Sequence, residues 1–217
     1  LPPSELVHLP VPARGWHEQL LKEISRVKAL VVGPGLGPLA NPDGSASPGG
    51  EVGQLLAGAS VPAVVDADGL NAIGNLSALA EIVSLRHHAT VITPHEGELT
   101  RLAGEAPGPD RLASTRAAAA KSGAIVLLKG PTTIVAAPDG RALCCTSGGP
   151  RLATAGTGDV LSGVIGAFIA RGVPGFEAAA LAAHVHGRAA ATGLAEGLVA
   201  GDLPDLVAAW LSKLPGR

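Results

Sequence analysis

The chain has 217 residues, 47% hydrophobic and 16% charged, which fits one globular domain with a full core and excludes a disordered chain. Its net charge of −2 gives no electrostatic footing for nucleic acid or an anionic membrane. No apolar run nears the ~20 residues of a spanning helix, and LPPSELVHLP lacks the basic-then-apolar order of a signal peptide.

Leu1 to Pro12 reads as a short extended piece broken by prolines. Trp16 to Ser25 is expected to form an amphipathic helix, and KALVV (Lys28 to Val32) a buried strand ending at Gly33-Pro34-Gly35-Leu36-Gly37. As a dinucleotide fingerprint that glycine run is poor, because its third glycine is misplaced and no helix follows at once. As a loop at a strand's carboxyl end it lies where open α/β sheets bind ligands. Asn41 to Gly50 is a polar loop, and a helix is expected around Glu51 to Ala57. The strand Pro62 to Val65 ends on Asp66 and Asp68, which are either turn formers or part of the same ligand edge.

ATVIT (Ala89 to Thr93) is a third strand, with His87 and His88 solvated at its far end. Pro94 fits the helix start that follows it; Glu96 and Glu98 suit the first turn, and His95 and Glu98 share a side. Asp110 to Ser122 reads as a helix, and AIVLL (Ala124 to Leu128) as a fourth buried strand running into Lys129-Gly130-Pro131-Thr132-Thr133. TTIVAAPDGRALCCT is a hairpin turning at Asp139-Gly140. Its Cys144 and Cys145 are poorly placed to bridge each other and too few for a metal site, so they read as reduced packing residues of a cytoplasmic protein. Helices are expected over Phe176 to Ala191 and Asp205 to Leu214.

Between hairpin and last helices lies Ser147 to Arg171, SGGPRLATAGTGDVLSGVIGAFIAR. Its glycines lead into Val160, Leu161, Val164, Ile165, Phe168 and Ile169, a helical spacing. A glycine loop entering a helix leaves the first amides unpaired, and the helix dipole adds roughly half a positive charge there, which makes an anion site. Asp159 stands among those amides. As a plain first-turn acid it stabilises the helix by about 0.3–1 kcal/mol. The three small residues in front of Gly158-Asp159 are not needed for that; they let a phosphate approach the backbone, and a carboxylate beside a phosphate suits removal of a proton from an attacking hydroxyl.

Strand–helix alternation followed by a hairpin and helices predicts an α/β fold, a three-layer α/β/α sandwich around a mainly parallel sheet. The loops Gly33–Gly37, Asp66–Asp68, His95–Glu98 and Lys129–Thr133 then meet at one edge, facing Gly156–Asp159.

GTGD before a long helix resembles the anion hole and catalytic Asp of the ribokinase-like superfamily. GPGLG, DADGLN, TPHEGE, KGPTT and ATAGTGDVLSG, in that order, resemble one branch of it, the ADP- or ATP-dependent NAD(P)H-hydrate dehydratases, over nearly the whole chain as a single domain, residues 1–217. The resemblance implies phosphorylation of the hydroxyl of a hydrated nicotinamide ring by ADP or ATP with Mg²⁺, then loss of phosphate to restore NADH or NADPH. It makes Asp159 the base, Ala155, Gly156, Thr157 and Gly158 the anion hole, and Lys129, Gly130, Pro131, Thr132 and Thr133 with Gly158 the nucleotide contacts. Gly35, His95 and Asp159 would touch the hydrated cofactor, and Glu98 would order a magnesium-bound water. It further implies a homo-oligomer, tetramer or larger, an association with an NAD(P)H-hydrate epimerase, and amino-terminal strands lying before the point where this sequence starts. A ribokinase-like kinase of a hydroxymethylpyrimidine or thiazole alcohol is the alternative, since it shares Asp159 and the anion hole. Two residues depart from the family pattern around the loop: Arg151 adds a charge, and Ala155 replaces a glycine, which is tolerable only at negative φ.

Overall fold

A computed structural model describes residues 7–37 and 50–214. Its sheet has six strands among these residues: β1 (Leu30–Val32), β2 (Ala63–Val65), β3 (Thr90–Ile92), β4 (Ile125–Leu128), β5 (Thr133–Ala136) and β6 (Ala142–Cys145), in that spatial order. The first four pair in parallel and the last two continue antiparallel as a hairpin. The mainly parallel sheet and the hairpin both match expectation. Antiparallel strands join through a short turn, as at Asp139-Gly140, where the Ala137 amide donates to the Arg141 carbonyl (2.9 Å).

Parallel neighbours need crossovers, and right-handed crossovers in the order β1-β2-β3-β4 put every connecting helix on one face. Along the chain come α1 (Trp16–Glu23), α2 (Gly50–Gly58), α3 (Ala67–Ile73), α4 (Leu76–Ser84), α5 (Glu96–Ala103) and α6 (Arg111–Ser122). Their apolar sides cover Ala63, Val65, Ile92, Val126, Leu128 and Ala136. The alternate residues Val64, Val91, Leu127 and Val135 face the opposite way, onto α7 (Thr157–Ala170) and α8 (Gly175–Ala190). The period of two along each strand thus feeds two cores and makes three layers. A last helix, α9 (Leu203–Leu211), packs Val207 against Val185 and Ala189 of α8.

Two helices are additions to the sequence reading, α3 and α4, joined by Gly74 at φ +86°. Asn75 starts α4 by accepting the Ser77 and Ala78 amides at 3.0 and 2.9 Å. α1 stops at Glu23 and tightens into a 3-10 turn, Ile24–Arg26, and α9 begins at Leu203 and ends at Leu211, short of the expected Leu214. Residues 7–12 lack regular structure, and the loop expected over Asn41 to Gly50 falls outside the described residues except Gly50, which opens α2.

Candidate active site

Because β1 to β4 run the same way, their carboxyl ends reach one edge, and side chains from the loops beyond them touch. Gly33, at φ +125°, is buried so closely against the turn after β2 that a Cβ would overlap the Asp66 carbonyl. Only glycine fits there. Asp66 itself is 1% exposed and caps α3 by accepting the Ala67 amide (2.9 Å). The same carboxylate accepts from Lys129 Nζ on Oδ1 (2.8 Å) and from the Ser162 hydroxyl of α7 on Oδ2 (2.7 Å). Asp68 accepts the Gly37 amide (2.9 Å), which ties the first glycine loop to the second. Asp66 is therefore the turn former of the pair, and Asp68, within α3, bridges two of the strand-end loops.

At the third loop His95 caps α5. Its Nδ1 accepts the Glu98 amide (3.2 Å), while Glu98 Oε2 accepts the His95 amide (2.7 Å), a reciprocal capping box. An accepting Nδ1 leaves the proton of the neutral ring on Nε2, on a side chain 54% exposed. Gly97 makes room for this fold-back, since a Cβ would sit 2.9 Å from His95 Cε1. Glu98, whose side chain is only 7% exposed, lies 3.7 Å from Lys129 Nζ through Oε2. One ammonium thus serves two buried carboxylates, Asp66 and Glu98.

The glycine loop meets this cluster from the other face. Gly156 starts α7 at φ +86° with no side-chain cap, so the amides of the first turn are not satisfied from that side. A Cβ on Gly158 would lie 3.3 Å from Lys129 Nζ and 3.9 Å from Asp66 Oδ2. Thr157 is structural: its hydroxyl bonds the Leu152 and Thr154 carbonyls at 2.7 and 2.9 Å, and its amide donates to Thr154 (3.3 Å). Asp159, in the first turn, is exposed. Ala155 fits in place of glycine because Ala67 is the one non-glycine residue with positive φ among the described residues. Arg151 is engaged elsewhere: Nη1 donates to the carbonyls of Ala191 and Gly193 (3.0 and 3.2 Å) at the carboxyl end of α8.

A cavity of about 520 Å³ opens beside this edge, lined by Lys129, Gly130, Thr133, Cys145, Gly158 and His186 among others. His186 was not singled out by sequence. Burial pushes its ring down to about 4, against the Thr157 carbonyl, which pulls the other way. Also unanticipated were Ser162 and Thr93, whose hydroxyls lie 3.2 Å apart beneath Asp66. Gly35 is exposed at φ +71° with open space where a side chain would be.

The sequence matches the family described as NAD(P)H-hydrate dehydratase over residues 4–213. It is 44% identical over 171 residues to the bifunctional NAD(P)H-hydrate repair enzyme Nnr of Mycobacterium leprae, covering 79% of this chain and 34% of that one. It is 43% identical over 195 residues to the ADP-dependent (S)-NAD(P)H-hydrate dehydratase of Neisseria meningitidis, covering 85% and 63%. The chain therefore spans about a third of the bifunctional relative and under two thirds of the dehydratase. Among solved structures, the Bacillus subtilis ADP/ATP-dependent NAD(P)H-hydrate dehydratase co-crystallized with ATP/Mg²⁺ superposes with TM-score 0.69 at 25% identity, over 90% of this chain and 70% of that one. With its fold, its strand-end motifs and these relatives in agreement, the chain belongs to the NAD(P)H-hydrate dehydratase family, a branch of the ribokinase-like fold.

Proposed function

We propose that this chain carries the nucleotide-dependent dehydration of (S)-NAD(P)H hydrate. The observation that supports it most is the meeting of an uncapped helix start and the Lys129–Thr133 loop around one cavity, with exposed Asp159 next in the chain to Gly158, which lines it. In this reading the ring hydroxyl attacks the terminal phosphorus of ADP or ATP. The new P–O bond forms as the bond to the nucleotide's bridging oxygen breaks, and Asp159 takes the hydroxyl proton. The ring C–O bond then breaks, phosphate leaves with the electron pair, and a proton lost from the adjacent ring carbon restores the double bond.

The residues have distinct tasks. The amides of Ala155, Gly156 and Gly158, with that of Thr157 shared with the Thr154 carbonyl, would stabilise charge on the transferring group, and one such donor is worth ~10²–10³ in rate. Lys129 to Thr133, with Gly158, hold the nucleotide. Gly35 and the Nε2–H of His95 contact the hydrated cofactor. Among the described residues no cluster of three or more His, Cys, Asp or Glu could cage a metal, so Mg²⁺, when bound, would be held chiefly by phosphates and waters and would neutralise phosphate charge. Glu98 Oε1 is the carboxylate oxygen left over from the capping box, and it would order a bound water. The reading extends to a cytoplasmic homo-oligomer, tetramer or larger, that works with an NAD(P)H-hydrate epimerase. Free Cys144 and Cys145, exposed Leu181 and Leu194, and the bifunctional relatives support those points. No helix among the described residues is long and apolar enough to cross a membrane.

The test is chemically prepared hydrated NADH with Mg²⁺ and ADP or ATP, followed by the return of dihydronicotinamide absorbance. Nucleotide consumption only with a hydroxymethylpyrimidine or thiazole alcohol would overturn the proposal. Asp159→Asn should bind nucleotide nearly normally and lose at least ~10² in turnover; a variant as fast as wild type removes Asp159 as the base.

A further inference from the structure

Arg111 opens α6, directly after the capping Asp110, and nothing in its local sequence marks it as functional. Its guanidinium runs beneath the loop that follows β4. Nη1 donates to the Thr132 carbonyl (2.7 Å) and Nη2 to the Lys129 carbonyl (3.1 Å), so one planar fork holds both ends of the Lys129-Gly130-Pro131-Thr132 turn. Nε lies 2.7 Å from Glu96 Oε1, an ion pair in which the N–H is not directed at the oxygen. Glu96 sits between His95 and Gly97, so the guanidinium spans the third and fourth strand-end loops.

Gly130 supplies an independent observation. A Cβ there would overlap Nη2 and reach 3.0 Å from Cζ, and Gly130 is not at positive φ. The absence of a side chain here thus lets the guanidinium lie against the loop, and a Cβ would have to push that group off its two carbonyls. The loop is wrapped around Arg111, whose side chain remains 23% exposed.

We propose that Arg111 is a positioning residue for nucleotide binding, shaping the Lys129–Thr133 loop through its two carbonyls while Glu96 holds the guanidinium in place. The inference rests on the assignment of that loop to the nucleotide. A lysine cannot replace the fork, because a point charge reaches one carbonyl at a time.

The experiment is calorimetric titration of the full chain with ADP and Mg²⁺, alongside turnover. Arg111→Ala should raise the nucleotide Kd and KM by about tenfold to a hundredfold, with kcat within about threefold, as expected for lost charge-assisted hydrogen bonds. Arg111→Lys should recover only part, and millimolar guanidinium added to Arg111→Ala should lower the Kd again. A role in stability alone would lower Tm without moving Kd. The sharpest arm is a double-mutant cycle: Gly130→Ala should weaken ADP binding in wild type and have little further effect in the Arg111→Ala background. Equal Gly130→Ala penalties in both backgrounds, an unchanged Kd for Arg111→Ala, or a wild-type chain that binds no ADP would overturn the inference. A wild-type chain that binds ADP but leaves hydrated NADH untouched overturns the proposed reaction alone.

Discussion

Replacing His186 with Gln should flatten the acid limb of the stability profile. The ring is 4% exposed on α8, and its Nε2 is buried without a hydrogen-bond partner among the described residues. Burial, only partly opposed by the Thr157 carbonyl, depresses its pKa from 6.5 to about 4. The unfolded chain therefore takes up a proton near pH 6.5 that the folded chain refuses until about pH 4. Stability present above pH 6.5 is lost as pH falls through that window, and the loss levels off below it. At 1.36 kcal/mol per unit the full effect is about 3 kcal/mol, of which about 2 kcal/mol is gone by pH 5. Urea unfolding of wild type and His186→Gln at pH 7.5, 6.5, 5.5 and 5.0 gives the comparison, because subtraction cancels groups common to both. The glutamine changes the baseline stability, so only the slope of the difference counts. Wild type should lose about 2 kcal/mol more than the variant between pH 7.5 and pH 5. Curves parallel within about 0.5 kcal/mol would refute the argument that this ring is held neutral by burial.

Asp66→Asn leaves Lys129 with Glu98 at 3.7 Å as its remaining carboxylate, so urea unfolding should show a loss of about 1–3 kcal/mol, and calorimetry a weaker ADP site. Arg151→Leu removes the donor to the last carbonyls of α8; it should destabilise by about 1–2 kcal/mol in the same assay, with Arg151→Lys recovering roughly half.

The parallel strands were readable because KALVV, PAVV, ATVIT and AIVLL are short apolar runs with turn residues behind them, and once they are parallel their carboxyl ends must share an edge. The hairpin announced itself through Asp139-Gly140. α4 was also legible in principle, since Asn75 precedes Leu76, Leu79 and Ile82 at helical spacing, all three buried. The side-chain cluster was not. Asp66 meets Lys129 and Ser162 across 63 and 96 residues of chain, and Arg111 meets Thr132 across 21. Such contacts follow from topology, and no local pattern encodes them. His186 is one histidine in an alanine-rich helix beside exposed His184, and only packing against the glycine loop separates the two.

Two carboxylates flank the start of α7, and their surroundings divide the work between them. Asp66 is buried and already accepts from an ammonium, a hydroxyl and an amide. All three hydrogen bonds would be lost if it moved to meet a substrate. What it does in the structure is hold Lys129, which lines the cavity. Asp159 is exposed, one residue beyond Gly158, with the uncapped helix start behind it. Among the described residues its carboxylate accepts no side-chain or backbone hydrogen bond that would have to be broken before it meets a substrate. If the assignment were reversed, with Asp66 as the base, a hydroxyl would have to reach a carboxylate sealed beneath Ser162 and Lys129. On access, the geometry of the edge therefore favours Asp159 over Asp66 as the base of the proposed reaction, and in that reading the Asp66–Lys129 pair would be the scaffold beside the phosphate.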